Sequence, residues 1–380
     1  MNCKGFPQPI DMLRCQACVL TRDRRQDCAD ASPVRCNEPD ATTRGDSHHW
    51  ERKDTLMTMH QHPAAHPANL TIRPLHEHDL PEAQRIFRLA FGTFLGLPDP
   101  LTFWTDTAHL QTRWRADPTS VFAAEVGGAL VGSNVVTHWG SVGFFGPLTV
   151  LPDRWDQGIA QRLMEPIMDC FNTWGIRHAG LFTFPQSTKH LYFYQKFGFF
   201  PRFLTAILSK PAAASEPVVN WSRLSEAVES EQAAVLQACR EVTEAIYEGL
   251  DVRREIQAVH EQRLGETVLL WSRSHLVGFA CCHCGAGTEA GTGTCYIKFG
   301  AVLPGPATAE YFDQLLRACE ALTVAQGLSR LVAGVNLRRQ EAYQRLLAFG
   351  FRADMVGVAM EKPNEPGYNH AGIYLIDDWR

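Results

Sequence analysis

Residues 148–168 read LTVLPDRWDQGIAQRLMEPIM, residues 180–185 read GLFTFP and residues 188–199 read TKHLYFYQKFGF. The first stretch is the end of a strand, a glycine-containing turn and a helix. Its apolar Leu163, Ile167, Phe171 and Trp174 recur at helical spacing until Gly175 stops it. Pro166 lies inside that helix, where a missing backbone donor predicts a kink offset by packing. The second stretch is an apolar strand, and the third is a helix that carries a tyrosine. A strand, helix and strand of these lengths predict a parallel pair joined by a right-handed crossover.

Exposed N–H groups at a helix start can converge on a diphosphate, with the helix dipole in support. Trp155-Asp156-Gln157-Gly158-Ile159-Ala160 occupies such a start, and Gly158 and Ala160 keep side chains small where a ligand must come close. The dipole contributes only about 0.3–1 kcal/mol per charge at an exposed site, so tight binding needs several bonds. Taken alone, this turn favours the plainer reading of a helix N-terminus without a ligand.

Upstream, regular structure begins with a strand at Leu70, LTIRPL, followed by a helix with Asp79 as its cap and Pro81 in its first turn. VFAAEV and ALVGSNVV flank Gly127-Gly128, a two-residue turn suited to a tight hairpin. SVGFFGPLTV is the next strand, and its Gly146-Pro147 predicts a bulge or break. Downstream the same order of elements returns, ending in AYQRLLAFGF, which parallels YFYQKFGF. Gly198 and Gly350, and Pro152 and Pro304, are each 152 positions apart, which argues for an internal duplication with its seam near residues 211–215.

Composition points to an ordinary enzyme. A formal charge of −5 with no polybasic run argues against nucleic acid and anionic membrane as partners. With no long apolar stretch and no signal-peptide layout, the chain is expected to be cytoplasmic, its twelve cysteines reduced. Five of them, Cys3, Cys15, Cys18, Cys28 and Cys36, fall in a leader without periodicity. Cys15-x-x-Cys18 and the histidine-rich run at 59–69 invite metal, but no second pair follows and proline and alanine dilute the histidines. No metal site is expected. Met57 and Met59 precede the first periodic segment, which raises the alternative that translation starts there. Cys281-Cys282-His283-Cys284 lies on a strand, where neighbours face opposite ways, and is expected to be core.

Residues 70–208 resemble the GNAT acetyltransferase superfamily. The family's acyl-CoA loop, Gln/Arg-x-x-Gly-x-Gly/Ala, is similar to residues 155–160, with Trp155 and Asp156 as departures. Its Tyr-x-Lys-x-Gly-Phe motif is matched by Tyr194, Lys196, Gly198 and Phe199. The resemblance implies an α/β fold, α+β in its mixed sheet, as two GNAT-like domains in tandem. Each would be a mixed, mostly antiparallel sheet flanked by helices. A disordered leader at 1–68 would precede an acetyl-CoA-binding domain at 69–212 and a degenerate one at 213–380.

It further implies N-acetyl transfer from acetyl-CoA, as co-substrate, to an amine. A small-molecule primary amine is preferred and a protein amine remains open. Tyr194 would be the catalytic acid. Leu148, Thr149 and Val150 would pair with the pantetheine arm, and Ser187 would contact the carrier where many members have asparagine. Trp155, Asp156, Gln157, Gly158, Ile159 and Ala160 would hold its diphosphate. No general base stands out. His138 is a candidate, His190 could orient the phenol or simply pack, and water could carry the amine's proton away. In the second half Glu310 and Phe312 stand where the offset puts Gly158 and Ala160, and Leu346 where it puts Tyr194, unless a local insertion aligns Tyr343 instead. A non-catalytic acyl-CoA-binding sensor is the alternative function. The acceptor, acyl length and oligomeric state are undefined by the sequence.

Overall fold

The computed structural model describes residues 67–213 and 219–380. The expected leader up to residue 66, its cysteine motif, most of the histidine-rich run and residues 214–215 of the seam lie outside the described residues. Strands β1 (Leu70–Pro74), β2 (Val121–Val126), β3 (Ala129–Trp139), β4 (Val142–Phe145), β5 (Thr149–Val150), β6 (His178–Thr183) and β7 (Phe200–Pro211) come from the first half. The second half supplies β8 (Trp221–Arg223), β9 (Gly265–Ser272), β10 (His275–Cys284), β11 (Thr294–Val302), β12 (Arg330–Asn336), β13 (Arg352–Lys362) and β14 (Leu375–Ile376).

These strands form one sheet, in the order β1-β2-β3-β4-β6-β13-β7-β12-β11-β10-β9-β8, with β5 on β3 and β14 on β11. The expectation of a separate sheet in each half is corrected here, because the last strand of each half crosses over. β13 lies between β6 and β7, and β7 between β13 and β12. Their central pairing is self-complementary, since Phe200 faces Glu361 and Ser209 faces Arg352, residues related crosswise by the 152 offset. Each crossing strand is buried over residues 206–208 or 358–360, and each feeds the other half: Ala206 and Leu208 pack among second-half residues, and Val358 and Met360 among first-half ones.

Helices α1 (Leu80–Phe94), α2 (His109–Ala116), α3 (Ile159–Thr173) and α4 (Thr188–Gln195) belong to the first half. Helices α5 (Glu229–Glu244), α6 (Arg253–Glu261), α7 (Thr308–Ala325) and α8 (Gln340–Ala348) belong to the second. The Gly127-Gly128 turn has positive φ at both residues and joins β2 to β3, as a type I′ hairpin requires. β4 and β6 run parallel on either side of α3, and α3 passes through Pro166 without ending.

One cap differs from expectation. The Asp79 carboxylate does not cap α1; it accepts from the His76 N–H at 2.9 Å and from Arg73, closing the turn before the helix. A guanidinium 2.6 Å away outcompetes the helix N–H groups for the same oxygens. Cys281 and Cys282 are both buried on opposite faces of β10, in different clusters. No described helix is long and apolar enough to cross a membrane.

Candidate active site

β4 and β6 are paired only at Val142–Phe144 and His178–Gly180. Past Phe145 the first strand breaks at Gly146-Pro147 and resumes as β5, which follows β3. The two parallel strands thus part, and a cavity of about 700 Å³ opens between them. Strand alternation turns the backbone of Thr149 toward β3 and that of Leu148 and Val150 toward the opening.

Leu148, Thr149, Val150, Trp155, Asp156, Gly158, Ile159, Ala160, Ser187 and Tyr194 all line this cavity. Gln157 does not; its amide turns back to donate to the Asp153 carbonyl at 3.3 Å. Asp156 and Gly158 both adopt left-handed backbone, φ 63° and 71°, so the turn into α3 is sharp and Gly158 is its N-cap. No side chain caps α3, which leaves its first N–H groups to the cavity side.

The two departures from the loop pattern have visible roles. The Trp155 indole N–H donates to the Val150 carbonyl at 2.8 Å, tying the turn to β5. The Asp156 carboxylate is drawn to the Lys189 ammonium, 2.5 Å away on α4. Arg154, Lys189 and Lys196 bring positive charge to the same cavity. Ser187 is the N-cap of α4, its hydroxyl accepting from the His190 N–H at 3.4 Å.

Tyr194 packs edge-on against Phe145, with ring centroids 5.6 Å apart. Burial pushes its phenol pKa well above the ordinary value, so it keeps its proton at any physiological pH. The protonated phenol is thus the resting form, the one a general acid must start from, while the same burial makes it a weaker acid than a free phenol. His190 lies against Phe94 at 4.9 Å, and burial, then Lys189, lower its pKa. His138 is elsewhere, its Nε2 2.7 Å from Arg254 and its ring against Trp174, outside this cavity. It is not placed to act as the base.

Sequence reasoning missed the other wall. Phe91, Phe94, Phe103, Trp104 and His109 reach the cavity from α1 and the loop to α2, and Trp379 and Arg380 reach it from the end of the chain. The aromatic richness of residues 87–104 was the available signal. Behind that wall, buried Glu289 takes a two-pronged hydrogen bond from Arg113, at 2.9 and 2.8 Å, and another from Lys298 at 2.8 Å. Lys298 also meets Glu255 at 3.0 Å. These opposite charges compensate each other in the interior, and they tie α2 of the first half to α6 and β11 of the second.

In the second half Phe312 and Leu346 are fully buried in one core cluster. The space beyond the parallel pairing of β11 and β12 is taken by β14, which pairs with Gly300 and Ala301.

Residues 83–199 match the model of the Acetyltransferase (GNAT) family, which identifies a GNAT domain in this stretch. A putative acetyltransferase from Pyrococcus horikoshii has a similar structure, with TM-score 0.59 and 12% identity over 84% of this chain and 99% of that one. A GCN5-related N-acetyltransferase from Sphaerobacter thermophilus aligns with TM-score 0.52 and 14% identity over 78% and 96%. The glucosamine N-acetyltransferase region of a fungal GH3 β-N-acetylglucosaminidase gives 0.53 and 12% over 78% and 38%. At these identities the likeness is one of fold, and it extends through both halves. No curated protein sequence matches the chain.

Proposed function

We propose that the first half transfers an acetyl group from acetyl-CoA to an amine, with Tyr194 as the acid that protonates the leaving thiolate. The observation that carries this is convergence: one cavity, where β4 and β6 part, takes in Tyr194 and every residue expected at the coenzyme except Gln157, while the base candidate His138 lies outside it. The residues suit the co-substrate. Uncapped N–H groups of α3 and the cations Arg154, Lys189 and Lys196 fit a diphosphate, and the Leu148 backbone and the Val150 N–H turn toward an amide-bearing arm, the Val150 carbonyl already accepting from Trp155.

In this reading a neutral amine attacks the thioester carbonyl, forming the C–N bond, and a strand N–H stabilises the oxyanion. The C–S bond then breaks. The sulfur receives the Tyr194 proton, the amine's proton leaves to water, and water restores the phenol. The raised Tyr194 pKa bars it from the base's role, and no other side chain is needed for that step. The second half is proposed to be a degenerate copy, with the division near 212/213, that braces the first and binds no coenzyme.

The test is free thiol release from acetyl-CoA across an amine panel for wild type and Tyr194→Phe. Turnover should fall about 10²–10⁴-fold on loss of the hydroxyl. Equal rates would remove Tyr194 from the mechanism, and coenzyme binding without turnover on any amine would favour the sensor.

A further inference from the structure

The cavity has a wing that the coenzyme residues do not account for, and its wall is a chain of rings. Trp104 stacks on Phe103 at 4.8 Å, and Phe103 on Phe91 at 5.4 Å. Phe91 approaches Phe184 at 6.4 Å, Phe184 lies 5.1 Å from Phe94, and Phe94 lies 4.9 Å from His190. All six rings line the cavity. The spacings are those at which aromatic groups attract one another; Trp104 stacks onward on His109 at 5.0 Å, so a further flat ring would join the series along its cavity side and not at its end. Trp104 holds a left-handed backbone, φ 42°, which is unusual for a bulky residue and fits a side chain held in place by the packing around it.

Charge narrows the occupant. The acidic side chains on the cavity wall, Asp156 and Asp354, are each 2.5 Å from a cation, Lys189 and Arg330. The wall therefore offers a polyamine or lysine-rich peptide no carboxylate side chain that is not already beside a cation. Beside Tyr194 the wall is close-packed, because Phe145 is 3% exposed and lies between the rings of Tyr194 and Phe199, at 5.6 and 5.4 Å.

We propose that this wing binds the acceptor and that the acceptor is a monoamine carried on an aromatic body. The inference rests on the acetyl-transfer reading above. An apolar wing also favours the uncharged amine, the form that attacks a thioester.

The experiment measures binding, so it does not depend on turnover. With desulfo-CoA saturating, 2-phenylethylamine, butylamine and spermidine are titrated into the full chain by calorimetry. Phenylethylamine should bind about tenfold more tightly than butylamine, the worth of one or two ring contacts. Spermidine should be weakest. Trp104→Leu and Phe184→Leu should each cut that preference to about threefold or less, with desulfo-CoA affinity unchanged.

If desulfo-CoA itself does not bind, the acetyl-transfer reading falls and takes this inference with it. If it binds while phenylethylamine shows no advantage over butylamine, or spermidine binds best, the inference alone is overturned. Binding of hexanoyl-CoA as tight as that of acetyl-CoA, with phenylethylamine displaced from the chain by hexanoyl-CoA, would give the wing to an acyl chain and overturn it too.

Discussion

The two halves use one architectural idea and end in opposite states. In the first, β4 and β6 part after three paired residues and leave a cavity; in the second, β11 and β12 part likewise and β14 fills the gap. β14 pairs with Gly300 and Ala301, the residues 152 positions beyond Leu148 and Thr149. The same offset carries Ser187, the N-cap of α4, onto Arg339, the N-cap of α8. Arg339 grips the inserted segment through the Leu375 and Asp377 carbonyls, at 2.9 and 3.2 Å, and through the Asp377 carboxylate. The difference teaches that a split strand is an unmet demand for backbone partners. A chain can meet it with its own segment or leave it for a ligand.

The strongest way to break this comparison is to loosen the filled slot. Arg339 and Asp377 are both buried, so Arg339→Ala strands a carboxylate and should cost about 3–5 kcal/mol. Chemical denaturation measures this, and a loss under 1 kcal/mol would mean that β14 is held by its apolar contacts alone. Next in size is the reverse graft. Ala160→Phe copies Phe312 into the open half, where it should obstruct the coenzyme. Calorimetry should show acetyl-CoA affinity down at least about 100-fold, roughly 3 kcal/mol, with thermal stability near wild type. Wild type should bind one coenzyme per chain, and two would contradict the contrast.

The seam between the halves adds a pH dependence. Glu361 on β13 and His178 on β6 are both buried, 3.6 Å apart. Burial, only partly offset by Arg202, raises the Glu361 carboxyl to about 8, and burial, then Arg202, lowers His178 to about 4. An acid raised on folding contributes stability that is complete below its unfolded pKa, near 4.5, and lost as pH climbs through 8. The histidine is lowered, so its contribution is complete above 6.5 and lost as pH falls through 4. Between pH 6.5 and 8 only Glu361 acts, and stability should fall by at most about 1.4 kcal/mol per pH unit. Glu361→Gln keeps an acceptor for the Asn369 amide, which donates at 3.0 Å, and should flatten that slope. An unchanged slope would place the titration elsewhere.

Local signals made most elements of the first half legible. Hydrophobic period, Gly127-Gly128 and the break at Gly146-Pro147 are written within a few residues of where they act, and the family motif gathered Gly158 and Tyr194. The crossing of β7 and β13 was not legible, because an apolar strand reads alike beside either neighbour. β14 was missed for a related reason: Leu375 and Ile376 make too short a run to signal a strand, and only the empty space beside β11 gives them one. The aromatic wall is a third case, since Phe91 and Phe184 are far apart in sequence and meet only in the fold.

The smallest expected effect concerns the mouth of the open cleft. Asp156 and Lys189 are both largely exposed, so their contact adds little to stability, yet it decides which way the carboxylate turns. With Lys189→Ala the cavity loses a cation and Asp156 is freed to face the diphosphate. Both changes weaken coenzyme binding, by about threefold to tenfold together at low salt. Asp156→Ala removes the repulsion while freeing the lysine for the ligand, and should tighten binding slightly. If Lys189→Ala instead left affinity untouched at low and high salt, the diphosphate would not lie between α3 and α4. The open half would then differ from the filled one in shape alone, without the charge that the proposed coenzyme site calls for.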